Sequence, residues 1–117
     1  MPGLFANKVV IVTGGGGAIG RAAALGFAAE GGRVAVCDLN PDGAAETVEL
    51  IKAAGGEALA LVADVSVATE VEGMVRKTVD HFGGLDCAFN NAGITHPDDS
   101  AWDESVFRKI IDTNLVS

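Results

Sequence analysis

Cysteine is scarce in this sequence, basic residues are outnumbered two to one, and no long apolar run occurs. Each scarcity narrows the possibilities. The two cysteines, Cys37 and Cys87, stand alone inside apolar stretches. That is the pattern of buried free thiols in a reducing compartment, not of a disulfide framework. His81 and His96 have no ligand-like spacing with either cysteine, so no metal site is expected. Lys and Arg total 8 against 16 Asp and Glu, a net charge of −8. This argues against nucleic acid or an anionic membrane as a partner. It leaves a dinucleotide open, because backbone N–H groups can hold a pyrophosphate without a basic patch. No apolar run reaches the roughly 18 residues of a membrane span. The first eight residues, Met1 to Lys8, are too short and too weakly apolar for a secretory signal. The expectation is a cytoplasmic protein whose 117 residues give room for one domain with a real core.

What is abundant is glycine, and four glycines arrive together. Val9-Val10-Ile11-Val12 reads as a strand covered on both faces. Gly14 to Gly17 leave no side chain to block a ligand and make positive φ cheap. Ala18 to Ala29 is rich in Ala and Leu, good helix composition. A strand feeding a helix through glycines aims backbone N–H groups and the positive helix end at one point, which suits a phosphate. The run fits two frames. Gly15-x-Gly17-x-x-Gly20 satisfies the dinucleotide fingerprint. Thr13-Gly14-x-x-x-Ala18-x-Gly20 fits a second pattern. The ATP/GTP phosphate loop is rejected, because Arg21 and Ala22 stand where it needs Lys and Ser/Thr.

The chain then alternates strand and helix. Strands are expected over 8–13, 33–38, 57–62 and 85–89. Helices are expected over about 18–30, from an Asn40 cap with Pro41 at the first helical position, from a Ser66 cap, and from an Asp103 cap to the last residue. Glycine pairs at 31–32, 55–56 and 83–84 close the first three helices. The third carries an apolar stripe of Val67, Val71, Met74, Val75, Val79 and Phe82. Such alternation calls for an α/β fold: a doubly wound Rossmann-type parallel sheet with helices on both faces and right-handed crossovers. Strand order 3-2-1-4 follows, with the ligand crevice between strands 1 and 4. Only the first half of such a sheet and one strand of the second are encoded here.

Four polar positions stand out. Asp38 ends the second strand eighteen positions after Gly20, where the fingerprint expects an acid for the ribose hydroxyls. No Lys or Arg follows it in Leu39-Asn40-Pro41-Asp42, and Gly17 stands where an Arg could meet a 2′-phosphate. Both point to NAD rather than NADP. Asp64-Val65 follows the third strand and is either near the adenine or an ordinary turn. Asn90-Asn91-Ala92-Gly93 ends the fourth strand and is either a ligand-facing edge or a plain turn. Asn114 falls on the apolar stripe of the last helix after Phe107, Ile110 and Ile111. A core-facing amide must find partners or costs about 1–3 kcal/mol, so it is a satisfied core residue or part of a site.

Taken in order, these motifs resemble the short-chain dehydrogenase/reductases, and the chain looks like the amino-terminal half of their simple, non-extended branch. The resemblance covers all of it. Ala18, where most members have Gly, is a minor departure. The resemblance implies cofactor contacts at Gly14, Gly17, Ala18, Ile19, Gly20, Asp38, Leu39, Asp64, Val65, Asn91, Ala92 and Gly93. It implies that Asn114 holds a water in the proton relay of catalysis. It also implies an NAD-dependent interconversion of a secondary alcohol and a ketone, a small-molecule substrate and a homo-oligomer. The major departure is an absence: the family's chemistry uses a Ser and a Tyr-x-x-x-Lys, and this sequence has no tyrosine.

Two other readings compete. One is a non-catalytic dinucleotide-binding module. The other is a methyltransferase, to which Asn90-Asn91-Ala92-Gly93 does not belong. The chain stops at Ser117 inside a helical pattern without a stop signal. The expectation is therefore a fragment, an NAD-binding Rossmann domain over 1–117 truncated before the catalytic Tyr-x-x-x-Lys segment, inactive alone and prone to associate through an open strand edge.

Overall fold

A computed structural model of the chain describes residues 3–90. The elements run β1 (Val9–Thr13), α1 (Ala18–Ala29), β2 (Arg33–Asp38), α2 (Pro41–Ala53), β3 (Glu57–Val62), α3 (Ala68–Phe82) and β4 (Cys87–Asn90). They form one four-stranded sheet in the order β3-β2-β1-β4, and every pairing is parallel. The doubly wound expectation is met over these residues.

The apolar run of β1 is the reason it sits in the middle. All five of its residues are buried. Because side chains alternate across a strand, its neighbours divide between two cores. Val9 and Ile11 join Ala35, Cys37, Leu61, Val71, Met74, Val75 and Leu85 on the α3 side. Val10 and Val12 join Ala24, Val34, Val36, Ala44, Val48 and Ile51 on the side of α1 and α2. A strand wet on one face could not afford Val at both parities. β1 and β2 are thus covered above and below, while Ala60 and Val62 of the edge strand β3 stay exposed, and the carboxyl end of the strands forms the rim that carries the turn after β1.

Glycine ends the helices as expected, with Gly31, Gly55 and Gly83 at φ near +89°. Asn40 caps α2, its side-chain oxygen accepting from the Asp42 and Gly43 amides at 3.0 and 3.2 Å. Two expectations need correction. Ser66 does not cap α3. Its amide and hydroxyl both donate to Asp64 Oδ1, at 2.9 and 2.6 Å. The helix therefore starts later, with Val67 as its cap and Glu70 reaching back to the Asp64 amide at 2.8 Å. Val67 accordingly leaves the stripe and is exposed, while Thr78 joins the buried face. The fourth strand also begins two residues later than expected. Leu85 is buried in the core, and Asp86 bridges to β1, its Oδ2 accepting from the Val9 amide at 2.8 Å. The expected fourth helix and its Asp103 cap lie outside the described residues.

Candidate functional site

The rim is built around the turn from β1 to α1. Gly14 turns the chain with φ +68°, a region L side chains rarely adopt. Gly20 lies beneath it: a Cβ there would run into the Gly14 carbonyl oxygen and come within 2.9 Å of the Gly15 α-carbon. This is the close helix–strand contact that the last glycine of a dinucleotide turn provides. Gly15 is as crowded, since a Cβ would come within 2.5 Å of Val36 Cγ1. At Gly16 it would meet the Gly43 carbonyl carbon at 2.8 Å and Asp38 Oδ2 at 2.9 Å. Gly17 is different, its nearest neighbour being the Gly14 oxygen at 3.6 Å. Of the two frames the sequence allows, the steric one is therefore Gly14-x-x-x-Ala18-x-Gly20.

The polar groups of this turn divide into those that hold it and those left for a ligand. The Gly15 amide donates to the Cys37 carbonyl at 3.1 Å, and the Gly17 amide to the Gly14 carbonyl at 3.2 Å. The Gly16 amide donates to Asp38 Oδ2 at 2.8 Å. These three amides fix the loop itself. The first turn of α1 is the other kind. Gly17 gives it no side-chain cap, and no acidic residue lies in it. The leading amides of a helix have no intrahelical acceptor, and the dipole adds positive potential there. In α2 the same groups are consumed by Asn40. The first turn of α1, Ala18-Ile19-Gly20, is thus the part of this rim left without a side-chain cap or an acidic neighbour, a geometry that suits an anion.

Asp38 closes the other side. Oδ2 takes the Gly16 amide, and Oδ1 accepts from the Asn40 amide at 3.0 Å. Its carboxylate is oriented by two backbone donors and still half-exposed. Two large apolar side chains stand in solvent at the same rim, Ile19 at 69% exposure and Leu39 at 65%. Cys37, next to Asp38, is buried, and burial with the adjacent carboxylate pushes its thiol well above the ordinary range. It stays protonated and inert. Burial also raises the half-buried Cys87, ahead of Asp86, with Lys8 pulling the other way. Both cysteines are free, Cys37 buried and Cys87 half-buried rather than buried as expected.

The structure places Asp64 and Val65 just past the end of β3, at the same sheet edge. The Asp64 carboxylate is engaged inside its own turn, and the Ser66 hydroxyl and amide lower its pKa from the usual carboxylate range. Asn90 ends β4 opposite Thr13. Asn91, Ala92, Gly93 and Asn114 lie outside the described residues. Among the described residues no cluster of His, Cys, Asp or Glu could hold a metal ion, and no helix is long and apolar enough to cross a membrane.

Sequence reasoning missed the residues that grip the turn from behind. Thr47, fully buried on α2, donates to the Gly15 carbonyl at 2.7 Å. Arg21 Nε donates to Thr47 Oγ1 at 2.9 Å, and its Nη2 reaches the Gly16 carbonyl at 3.4 Å. Gly43 lets α2 approach, since a Cβ there would stand 3.2 Å from the Gly16 α-carbon. None belongs to a motif. The available signal was a threonine on the buried stripe of α2 with Ala44, Val48 and Ile51.

The family model described as short chain dehydrogenase matches residues 8–117. The chain belongs to that family of oxidoreductases. A cyclohexanol dehydrogenase of Acinetobacter sp. (strain SE19) is 39% identical over 117 residues, covering 98% of this chain and 47% of the relative. A short chain dehydrogenase from Mycobacterium avium superposes with a TM-score of 0.73 at 45% identity, over 76% of this chain and 34% of that one. A short chain dehydrogenase/reductase from Burkholderia phymatum, solved in complex with NAD, superposes with a TM-score of 0.70 at 31% identity, over 72% of this chain and 30% of that one. The chain spans 35% to 47% of the length of the first curated relatives it matches.

Two outcomes follow from this geometry. Gly20→Ala forces a methyl into backbone and should cost about 1–3 kcal/mol or more of stability, whereas Gly17→Ala should leave the unfolding free energy from urea titration within about 0.5 kcal/mol of the parent. Equal midpoints for the two variants would refute the frame assigned here. The second concerns pH. Asp64 has a depressed folded pKa, so its contribution to stability is present above the unfolded-state value and is lost as pH falls through the folded one. Ser66→Ala removes the hydroxyl donor and should move the Asp64 carboxyl back toward the ordinary range. A carbon-detected NMR titration of the two proteins reads this directly, and an unmoved Asp64 would be the contrary result.

Proposed function

We propose that this chain is the cofactor-binding part of an NAD-dependent oxidoreductase that interconverts a secondary alcohol and a ketone by hydride transfer. The observation carrying the reading is Asp38. Its carboxylate stands at the carboxyl end of β2, beside the glycine turn, with the Gly16 and Asn40 amides fixing its two oxygens. A carboxylate so placed accepts hydrogen bonds from a ribose diol and repels a 2′-phosphate. The described residues also fit the rest of a dinucleotide. Side chains are excluded at Gly15, Gly16 and Gly20, the first turn of α1 is uncapped, and Ile19 and Leu39 offer apolar surface to a flat ring. When bound, the nicotinamide would supply or take up the hydride.

Under this reading Gly14, Gly17, Ala18, Ile19 and Gly20 receive the pyrophosphate. Asp38 and Leu39 receive the ribose and one side of the adenine, and Asp64 and Val65 the other. Asn91, Ala92 and Gly93 would line the cofactor further along the rim, and Asn114 would hold the relay water. The printed names of relatives support the chemistry: one acts on cyclohexanol, a secondary alcohol, and one neighbour was solved with NAD. A small alcohol or ketone as substrate, a cytoplasmic location and a homo-oligomeric assembly complete the proposal; neither nucleic acid nor membrane is a partner in it. A non-catalytic dinucleotide-binding module is the second reading.

Cofactor choice is the decisive experiment. The chain should bind NADH at least tenfold more tightly than NADPH, a difference of about 1.4 kcal/mol. Asp38→Ser combined with Leu39→Arg should reverse that order. A parent that favours NADPH tenfold overturns the role given to Asp38. On its own the chain should give no NADH oxidation with a panel of ketones, and measurable turnover would show that the proton has another donor.

A further inference from the structure

We propose that Thr47, held by Arg21, is the positioning residue that sets the glycine turn in its ligand-ready form before a dinucleotide arrives. The inference rests on the dinucleotide reading above and concerns how that same site is prepared. Glycine loses more conformational freedom on ordering than any other residue, so a turn of four glycines needs fixed points outside itself. From the sheet side those points are the Cys37 carbonyl and Asp38 Oδ2, which take the Gly15 and Gly16 amides. From the helix side they are the Thr47 hydroxyl on the Gly15 carbonyl at 2.7 Å and Arg21 Nη2 on the Gly16 carbonyl at 3.4 Å. Gly15 and Gly16 are therefore each held at both the N–H and the C=O, and the peptide unit between them is gripped from both sides.

Thr47 is placed for this task rather than for its own helix. A helical threonine ordinarily turns its hydroxyl to the carbonyl four residues back. For Thr47 that is Gly43, at 3.2 Å, and the bond to Gly15 is shorter. The hydroxyl has one proton and two lone pairs. With the proton given to Gly15, a lone pair accepts from Arg21 Nε at 2.9 Å. Arg21 itself rides on the first turn of α1, directly after Gly20. One hydroxyl thus joins three pieces: the glycine turn, the start of α1 and the body of α2. The other end of the guanidinium meets Glu46 at 3.2 Å, where Glu46 is largely exposed. A surface pair of that kind contributes little, so the working contact is the buried one.

The test compares Thr47→Val, which keeps the shape and removes the hydroxyl, with Thr47→Ser, which keeps the hydroxyl. Arg21→Met and Glu46→Gln complete the set. Amide hydrogen exchange is read in the ligand-free chain, and NADH affinity by fluorescence. Thr47→Val should speed exchange at Gly15 and Gly16 at least tenfold while the mid-helix amides of α2 keep their protection, and should weaken NADH about tenfold. Thr47→Ser and Glu46→Gln should match the parent within twofold on both readouts. Arg21→Met, at a partly exposed site, should fall between and serves if the valine variant does not fold. A merely structural threonine would loosen α2 as a whole, and that pattern overturns the proposal. So does a folded Thr47→Val, or failing that Arg21→Met, with parental exchange at the turn and parental NADH affinity. A parent chain that binds no NADH refutes the dinucleotide reading and this proposal with it, whereas a parent that binds while the variants stay parental refutes this proposal alone.

Discussion

The α-carbon of Gly20 lies against the Gly14 carbonyl so closely that not even a methyl group could come between them. That contact fixes how near α1 starts to β1, and much else follows from it. With α1 drawn in, Arg21 comes within reach of α2. With no side chain on Gly16 or Gly43, α2 closes onto the turn from the other side. The end of β2 is brought alongside, so that Cys37 and Asp38 can take the amides of Gly15 and Gly16. The rim is therefore a consequence of omitted side chains. Where a site made of catalytic side chains can be read as a set of added groups, this one is a set of absences that lets three backbones converge.

Those absences have a cost in conformational entropy, and the packing around the turn offsets it. The strand before it is buried along its whole length, and the strand beside it presents Val34, Ala35, Val36 and Cys37 in the same condition. A loop tethered to an exposed edge strand would sample many forms. Here both flanking strands sit in the middle of the sheet, between two cores. The rigid part of the molecule supports the part that has no intrinsic rigidity, which is the arrangement a recognition loop requires.

Much of this was legible in the sequence. Unbroken Val and Ile at positions 9–12 demand burial on both faces, and that alone places β1 centrally. The bounds of β2 and β3 agree with expectation because Gly32 and Gly56 precede them and the apolar runs stop abruptly. The start of α3 was not legible. Ser66 has the composition of a cap, but its hydroxyl satisfies Asp64 instead, and a residue able to bond in two directions does not announce its choice. Strand β4 was misplaced for a related reason. Leu85 is apolar because it fills the α3-side core, not because it lies in the ladder. Thr47 and Arg21 were invisible as site residues because their partners are 26 to 32 positions away in sequence. Local patterning carries no information about a contact of that span.

The electrostatics of the rim complete the picture. A chain with eight more acids than bases is a poor general host for anions, yet a dinucleotide carries a pyrophosphate. The cation nearest the turn does not resolve this. Arg21 is already occupied, its Nε on Thr47 and its Nη1 on Glu46. Turning it toward a phosphate would leave the buried Thr47 hydroxyl without its donor. What remains is the α1 terminus, with no cap and no acid in its first turn. Partial charges of that kind act over a single turn of helix and in one direction. They attract an anion seated on Ala18, Ile19 and Gly20 and do little for one elsewhere on an acidic surface. A site built from fixed dipoles thus discriminates by position, and in the proposed function Asp38 would add to this by repelling a further phosphate at the ribose end. Net negative charge and the proposed dinucleotide site are compatible for this reason: the acidity of the whole disfavours polyanions, while the uncapped α1 terminus suits one short anion in one place.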